Sequence, residues 1–208
     1  MIKEVYLIRH SKPLKVNNDK NMDSLQIQNE KQPLSIEGEN IAREKLNIKE
    51  LKDIDKLYSS SYVRAISTAK YIAENNNIEI NVINDFGERK FGINSWDELP
   101  DNFGEKQFLD ENYKTEFGES QKEVRERTFN ALMNVLKSDD KKIAIVFHGT
   151  AMLFLIMTWC KVVPDSDKYK IFFNGYELLW GKHFDFCETF KLTFNDNKLI
   201  DIKNIKHD

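Results

Sequence analysis

The short apolar run at residues 5–10 constrains the fold of this chain more than any other feature. Valine, tyrosine, leucine and isoleucine at positions 5 to 8 lead directly into Arg9 and His10. A brief run of β-branched and aromatic residues is typical of a buried β-strand rather than a helix. Ligands bind at the carboxyl ends of strands in open α/β sheets, so Arg9 and His10 are predicted to lie at a functional edge.

The composition indicates a globular protein without a general affinity for polyanions. Of the 208 residues 40% are hydrophobic, and the formal net charge is −3. This length predicts a single domain over residues 1–208, and the charge argues against nucleic acid as a partner. Cys160 and Cys187 lack the spacing of metal ligands and are expected to be free thiols in a reducing compartment.

No stretch of the sequence has the pattern of a membrane span or a signal peptide. The apolar stretch before Arg9 is too short for a signal peptide, and the apolar run at residues 143–159 is interrupted by His148-Gly149-Thr150. A cytoplasmic protein without a membrane partner is therefore expected. The sequence leaves open whether the chain forms a homodimer.

Strand and helix patterns alternate along the chain. Further strands are predicted at residues 54–60, 78–83, 143–147, 188–194 and 199–205, and helices at residues 34–48, 62–74, 120–136 and 149–159. Residues 11–33 are polar and are predicted to form a long loop, whereas residues 92–119 are aromatic and acidic and are interpreted as an inserted lid. The alternation predicts an α/β fold, a three-layer sandwich with a mostly parallel central sheet.

Polar side chains recur at the points where predicted strands end. Arg9 and His10 follow the first strand, and Arg64, Glu88 and His148 follow later ones. Because these ends converge in a parallel sheet, two guanidinium groups, two imidazoles and one carboxyl group are expected around one point. That set suits phosphoryl transfer: the arginines bind phosphate oxygens, an imidazole attacks phosphorus and the carboxyl group protonates the leaving oxygen. Such a site requires no metal and no cofactor.

The neighbouring charges favour a histidine as the nucleophile. Two arginines beside an imidazole disfavour its protonated form, so His10 is expected to stay neutral, with a free ring nitrogen. These residues alone do not decide which histidine attacks. His148 lies between a strand and the backbone N–H groups that open the next helix, and this position also suits stabilisation of a transition state.

Several ordered motifs resemble those of the histidine phosphatase superfamily, the phosphoglycerate mutase-like proteins. The matching pieces are Leu7-Ile8-Arg9-His10, Leu34-Ser35-x-x-Gly38, Tyr58-Ser59-Ser60-x-x-x-Arg64-Ala65-x-x-Thr68-Ala69, Glu88-x-x-Phe91-Gly92, Gly118-Glu119-Ser120 and Val146-x-His148-Gly149. The resemblance implies a phosphoglycerate mutase-like fold in which His10 becomes phosphorylated. It also implies that Arg9, Arg64 and His148 form the phosphate pocket and that Glu88 donates the proton and later serves as base.

The sequence departs from the family pattern directly after the first histidine. Ser11 replaces the usual glycine, Lys12-Pro13 replaces an acidic and hydroxylated pair, and Val16 occupies the place of a phosphate-binding asparagine. Asn17, one position further, is a candidate phosphate ligand. The substrate preference of this protein is expected to begin at Ser11-Lys12-Pro13.

The acidic lid favours a phosphatase over a mutase. From residue 97 to residue 119 there are eight acidic residues and two lysines, which would discourage a bisphosphate and favour a small phosphomonoester with a neutral, cationic or aromatic leaving group. Two alternatives remain, a mutase-type phosphoryl transfer and a non-catalytic binder of phosphorylated ligands.

The remaining arginines and histidines are interpreted as structural. Arg89 is expected to form a salt bridge with Glu88. The other side chains are expected to be solvated or structural: Arg43, Arg125, Arg127, His183 and His207.

Overall fold

The computed structural model describes residues 1–16, 24–165, 168–181 and 183–206. Its strands are β1 (Ile2–Arg9), β2 (Lys56–Ser59), β3 (Ile80–Val82), β4 (Lys142–Phe147), β5 (Lys161–Asp165), β6 (Lys168–Phe173), β7 (Tyr176–Gly181), β8 (Thr189–Asn195) and β9 (Lys198–Ile205). Its α-helices are α1 (Leu25–Lys31), α2 (Ile36–Lys45), α3 (Val63–Asn76), α4 (Phe103–Leu109), α5 (Gln121–Val135) and α6 (Gly149–Ile156). Within these residues, no helix has both the length and the apolar character needed to cross a bilayer.

The central sheet has six strands in the order β3-β2-β4-β1-β8-β9. The first four of these strands run parallel, and β8 and β9 extend the sheet antiparallel at one edge. The two closing strands belong to the same sheet because the turn between them allows direct antiparallel pairing. The α/β class and the mostly parallel central sheet predicted from the sequence are confirmed.

Each face of the sheet carries its own hydrophobic core, as a three-layer arrangement requires. Successive side chains of a strand point to opposite faces. Val5 and Leu7 of β1 therefore pack with α5 and α6, whereas Tyr6 and Ile8 pack with α2 and α3. β4 alternates in the same way and is buried along almost its whole length, so its continuous apolar run is explained by cover on both faces.

Two regions differ from the sequence-based prediction. Helix α1 lies within residues 11–33, which were predicted to be a loop. It has only seven residues and none of them is buried, so it leaves no apolar periodicity to detect. The second difference is a three-stranded antiparallel sheet, β5-β6-β7. Its β6–β7 turn is Asn174-Gly175, both at positive φ, which is a recognised hairpin signal in sequences.

The segment after β1 is fastened to the start of α2. Ser35 caps this helix by accepting a hydrogen bond from the Gly38 N–H. The Lys12 carbonyl accepts a hydrogen bond from the Ser35 N–H at 3.0 Å, and Ser11 Oγ donates to the Gly38 carbonyl at 2.6 Å. A Cβ atom on Gly38 would lie 2.0 Å from the Lys12 carbonyl oxygen, so only glycine permits this approach.

Replacing Gly38 with alanine should therefore destabilise the protein, even though alanine is the better helix former. Overpacking of this kind costs on the order of 1–3 kcal/mol. The matched control is Gly104→Ala in α4, where a Cβ atom meets nothing within 4 Å. Urea unfolding should show a loss of stability for Gly38→Ala and no loss for Gly104→Ala. Equal stabilities would contradict the close approach.

Candidate active site

The register of the parallel strands brings the two predicted histidines together. Arg9 pairs with Phe147 across β1 and β4, so the next residue on each strand, His10 and His148, reaches the same edge. Their ring centroids are 5.1 Å apart, and both side chains are buried. The convergence expected for the carboxyl ends of these strands is therefore what the structure shows.

Arg64, in the first turn of α3, connects the two imidazoles. Its Nε donates to His10 Nε2 at 3.1 Å, and its Nη2 lies 3.2 Å from His148 Nδ1. Its Nη1 donates to the backbone carbonyl of Asn29 in α1. All three guanidinium nitrogens thus have protein acceptors. A phosphate would have to replace some of these bonds to reach Arg64.

The hydrogen bonds of His10 define its protonation. Because guanidinium N–H groups only donate, His10 Nε2 carries the lone pair, and Nδ1–H donates to the Ser11 carbonyl at 2.7 Å. Burial, and then the positive charges of Arg64 and Arg9, hold the pKa of His10 well below its usual range. His10 is therefore a neutral imidazole whose lone pair is on Nε2, the form that a nucleophile needs.

His148 is held on both sides by protein groups. Its Nδ1 accepts from Arg64, so Nε2–H donates to Ser60 Oγ at 2.8 Å. The ring of Tyr62 packs against it with centroids 4.5 Å apart. Burial and then the charge of Arg64 hold the pKa of His148 well below its usual range. In this arrangement His148 orients Arg64.

Arg9 presents a donor that has no partner. Its Nη1 donates to the Phe184 carbonyl, and its guanidinium carbon lies 4.7 Å from the centroid of the Phe186 ring. Its buried Nε has no hydrogen-bond acceptor among the described residues. A buried donor without an acceptor lowers the stability of the folded protein unless a ligand accepts its hydrogen bond, so Arg9 Nε is suited to bind an anion.

Glu88 occupies the amino-terminal end of α6. Its carboxylate oxygens accept hydrogen bonds from the N–H groups of Thr150 at 3.2 Å, Ala151 at 3.0 Å and Arg89 at 2.8 Å. The backbone N–H groups that open this helix, noted in the sequence beside His148, thus bind the protein's own carboxylate. Glu88 lines the same cavity as Arg9 and His10.

A cavity of about 160 Å³ opens onto these groups. It is lined by Arg9, His10, Glu88, Gly149, Thr150, Leu153, Tyr169, His183 and Phe184. Arg64 and His148 are not among the lining residues, and both are buried. Of the two imidazoles, His10 is thus the one that a substrate in this cavity would meet.

The outer wall of the cavity was not predicted. It comes from α6, from β6 and from the segment that follows β7, and it includes no residue of the acidic 92–119 segment. His183, expected to be structural or solvated, is part of this wall. Tyr169 belongs to the small sheet, which was not predicted. The sequence signal that could have revealed this strand is the Asn174-Gly175 turn of the same hairpin.

The Ser11-Lys12-Pro13 segment does not contribute to the lining of the cavity. Ser11 is fully buried, its N–H donates to Thr68 Oγ1 at 2.9 Å, and Lys12 forms an exposed ion pair with Glu37. The expectation that substrate preference begins at this tripeptide therefore receives no support from its position. Asn17 lies outside the described residues.

Two arginines also differ from their predicted roles. The guanidinium group of Arg89 does not pair with the Glu88 carboxylate. It lies over the Phe91 ring, 4.5 Å from the centroid, and donates to Gln107 Oε1. Arg127, predicted to be solvated, binds the loop that carries Glu88. A surface-helix pattern cannot reveal this role, because most of its partners are backbone carbonyls.

The side chain of Arg9 supplies a positive charge at the cavity wall. Among the described residues, no three His, Cys, Asp or Glu side chains are grouped so as to hold a metal ion. Cys160 and Cys187 are both buried free thiols, and burial raises the pKa of each.

The lowered pKa of both histidines should be visible as the pH falls. Below about pH 6.5 an unfolded histidine takes up a proton, whereas the buried pair stays neutral, so the free energy of unfolding should fall with pH. The slope should approach about 2.7 kcal/mol per pH unit for two such groups between about pH 6.5 and 5. Urea unfolding measures it, and His148→Gln should roughly halve it. A ¹⁵N spectrum in which His10 titrates near its ordinary value would contradict the assignment.

Comparisons with known proteins agree with this architecture. The family profile described as "Histidine phosphatase superfamily (branch 1)" matches residues 5–174. No curated protein gives a significant sequence match. The fold is similar to that of a mycobacterial glucosyl-3-phosphoglycerate phosphatase, at 16% identity and a TM-score of 0.71 over 98% of this chain and 97% of that one. It is also similar to a phosphoglycerate mutase from Bacillus anthracis, at 19% identity and a TM-score of 0.66 over 98% and 92% of the two chains. These likenesses confirm the phosphoglycerate mutase-like fold, and the profile match over most of the chain shows that this protein belongs to the histidine phosphatase superfamily.

Proposed function

We propose that this protein is a metal-independent phosphomonoesterase that works through a phosphohistidine on His10. The observation that carries the proposal is the state of His10: a neutral imidazole at the wall of a cavity, with the Nε2 lone pair beside Arg64 and with Arg9 alongside. These groups supply the nucleophile and the cations that phosphoryl transfer requires.

In the first step the lone pair of His10 Nε2 attacks phosphorus. A nitrogen–phosphorus bond forms, the phosphorus–oxygen ester bond breaks, and the leaving oxygen keeps the electron pair and takes a proton from Glu88. The unpartnered Nε of Arg9 binds one phosphate oxygen, and Arg64 exchanges its bond to His10 for another. His148 retains its bond to Arg64 and keeps that guanidinium oriented.

In the second step water releases the phosphate. Glu88, now a carboxylate, accepts a proton from water as the water oxygen attacks phosphorus, and the bond to His10 breaks. The three N–H groups that bind Glu88 in this structure suit the carboxylate form.

The cavity wall favours a small, uncharged leaving group. Leu153, Tyr169 and Phe184 supply apolar and aromatic surface in the cavity, and Arg9 is the lining residue that carries a permanent positive charge. A phosphoglycerate or bisphosphate would bring further negative charges into this cavity. The case for a phosphatase over a mutase therefore rests on this wall rather than on the acidic 92–119 segment.

Hydrolysis of p-nitrophenyl phosphate tests the proposed chemistry. We expect turnover that a chelator does not reduce and that His10→Ala abolishes, because no other lining imidazole has its lone pair beside Arg64. The matched control is His183→Ala, which removes the other lining imidazole and should retain turnover. Loss of activity with chelator would contradict the metal-independent mechanism. Inactivity over a broad panel of phosphomonoesters would favour a non-catalytic binder.

A leaving-group panel tests the substrate class. Aryl and neutral alkyl phosphates should show kcat/KM values at least about tenfold above that of 3-phosphoglycerate, which corresponds to about 1.4 kcal/mol of discrimination. Steady-state assays of released phosphate measure this difference. Fast conversion of 3-phosphoglycerate to its isomer would instead show a mutase.

A further inference from the structure

Arg127 of α5 forms a two-point ion pair at the end of the 92–119 segment. Its Nε donates to Glu119 Oε1 at 2.7 Å and its Nη2 to Glu119 Oε2 at 2.9 Å. The two side chains are only 18% and 17% exposed. A bidentate and largely buried pair of this kind has a fixed geometry, unlike most ion pairs at protein surfaces.

The same guanidinium group binds three backbone carbonyls in the loop of Glu88. Its Nη1 donates to the carbonyls of Asp85 at 2.6 Å and Gly87 at 3.0 Å, and its Nη2 donates to the carbonyl of Glu88 itself at 3.1 Å. No hydrogen bond joins Arg127 to the Glu88 carboxylate in the structure described. The hydrogen bonds of Arg127 to this loop therefore act on that carboxylate through the backbone.

Glu119 fastens the other side of the loop. Its Oε2 accepts from the Lys90 N–H at 2.9 Å, and its own N–H donates to the Lys90 carbonyl at 2.9 Å. Arg127 thus binds the backbone from Asp85 to Glu88, and Glu119 binds the backbone of Lys90, two residues after Glu88. The chain between residues 87 and 95 has no regular secondary structure, so these bonds replace the support that a helix or strand would give.

We propose that Arg127, paired with Glu119, is a positioning residue for the proton transfer by Glu88. The proposal rests on the proposed function, in which Glu88 protonates the leaving oxygen. Proton transfer in a transition state requires heavy atoms within hydrogen-bond reach, and a displacement of about 1 Å can cost on the order of 10² in rate. Loss of Arg127 should therefore impair the proton transfer more than phosphate binding or attack by His10.

The test compares two leaving groups that differ in how much they need a proton from a general acid. A p-nitrophenolate leaves with little help from a proton, whereas an alkoxide requires one. Arg127→Gln should lower kcat/KM for an alkyl phosphate at least about tenfold more than kcat/KM for p-nitrophenyl phosphate. The comparison uses kcat/KM because it covers the steps up to phosphorylation of His10, whereas kcat also includes hydrolysis of the phosphoenzyme, which is the same for both substrates. Glu88→Gln should show the same discrimination, because it removes the proton donor directly.

The matched control is Arg125→Gln on the same helix. Arg125 pairs with Glu111 and donates to Gln121, and it makes no recorded bond to the Glu88 loop. This variant should leave kcat/KM for both substrates unchanged. Arg127→Lys, which keeps a charge but loses the two-point geometry, should restore only part of the alkyl phosphate activity. Glu119→Gln provides a second route to the same readout if Arg127→Gln folds poorly.

Two outcomes would overturn the proposal. Equal losses of kcat/KM with the two substrates in both Arg127→Gln and Glu119→Gln would show a merely structural role, and unchanged values of kcat/KM would show no role. Either result would leave the phosphatase assignment standing. A wild-type protein that hydrolyses neither substrate would instead contradict the proposed function itself.

Discussion

The placement of the Arg64 guanidinium between two imidazoles is the constraint that the rest of the site depends on. It donates to both rings, and it can do so only while both are neutral. The burial and the charge that keep the rings neutral also leave a lone pair on His10 Nε2, which the proposed mechanism needs. One buried cation thus sets the tautomer, the charge and the direction of that lone pair.

The fold supplies this arrangement through strand register. β1 and β4 are adjacent and parallel, so His10 and His148 leave the sheet side by side, and Ser60 at the end of the neighbouring β2 reaches His148. The start of α3, three residues after Ser60, then brings Arg64 to both rings. Gly149 completes the fit, because a Cβ atom there would lie 3.3 Å from Arg9 Nε. Three segments that are distant in sequence are therefore fixed against one another before any ligand binds.

Much of this could be predicted because the signals are local. The apolar run before Arg9 and His10, the continuous apolar strand β4 and the serine caps of α2 and α5 each depend on residues within one element. Family motifs then identified Arg64 and Glu88, which no local pattern distinguishes from other charged residues.

The parts that could not be predicted depend on contacts between distant segments. Helix α1 has no buried side chain, so no periodicity marks it, yet its Asn29 carbonyl binds Arg64. His183 becomes part of the cavity only through the packing of the small sheet, and Arg127 recognises backbone carbonyls, which every sequence contains. The 92–119 segment was interpreted from its charge, but its acidic residues do not reach the cavity.

The most direct test of this account is to trap the covalent intermediate. Rapid acid-free quenching during turnover of an aryl phosphate, followed by ³¹P spectroscopy and peptide mass spectrometry, should find one phosphoryl group, on Nε2 of His10. A phosphoryl group on His148 or on another residue, or rapid turnover in which no phosphoenzyme forms even when hydrolysis is slowed by Glu88→Gln, would contradict it.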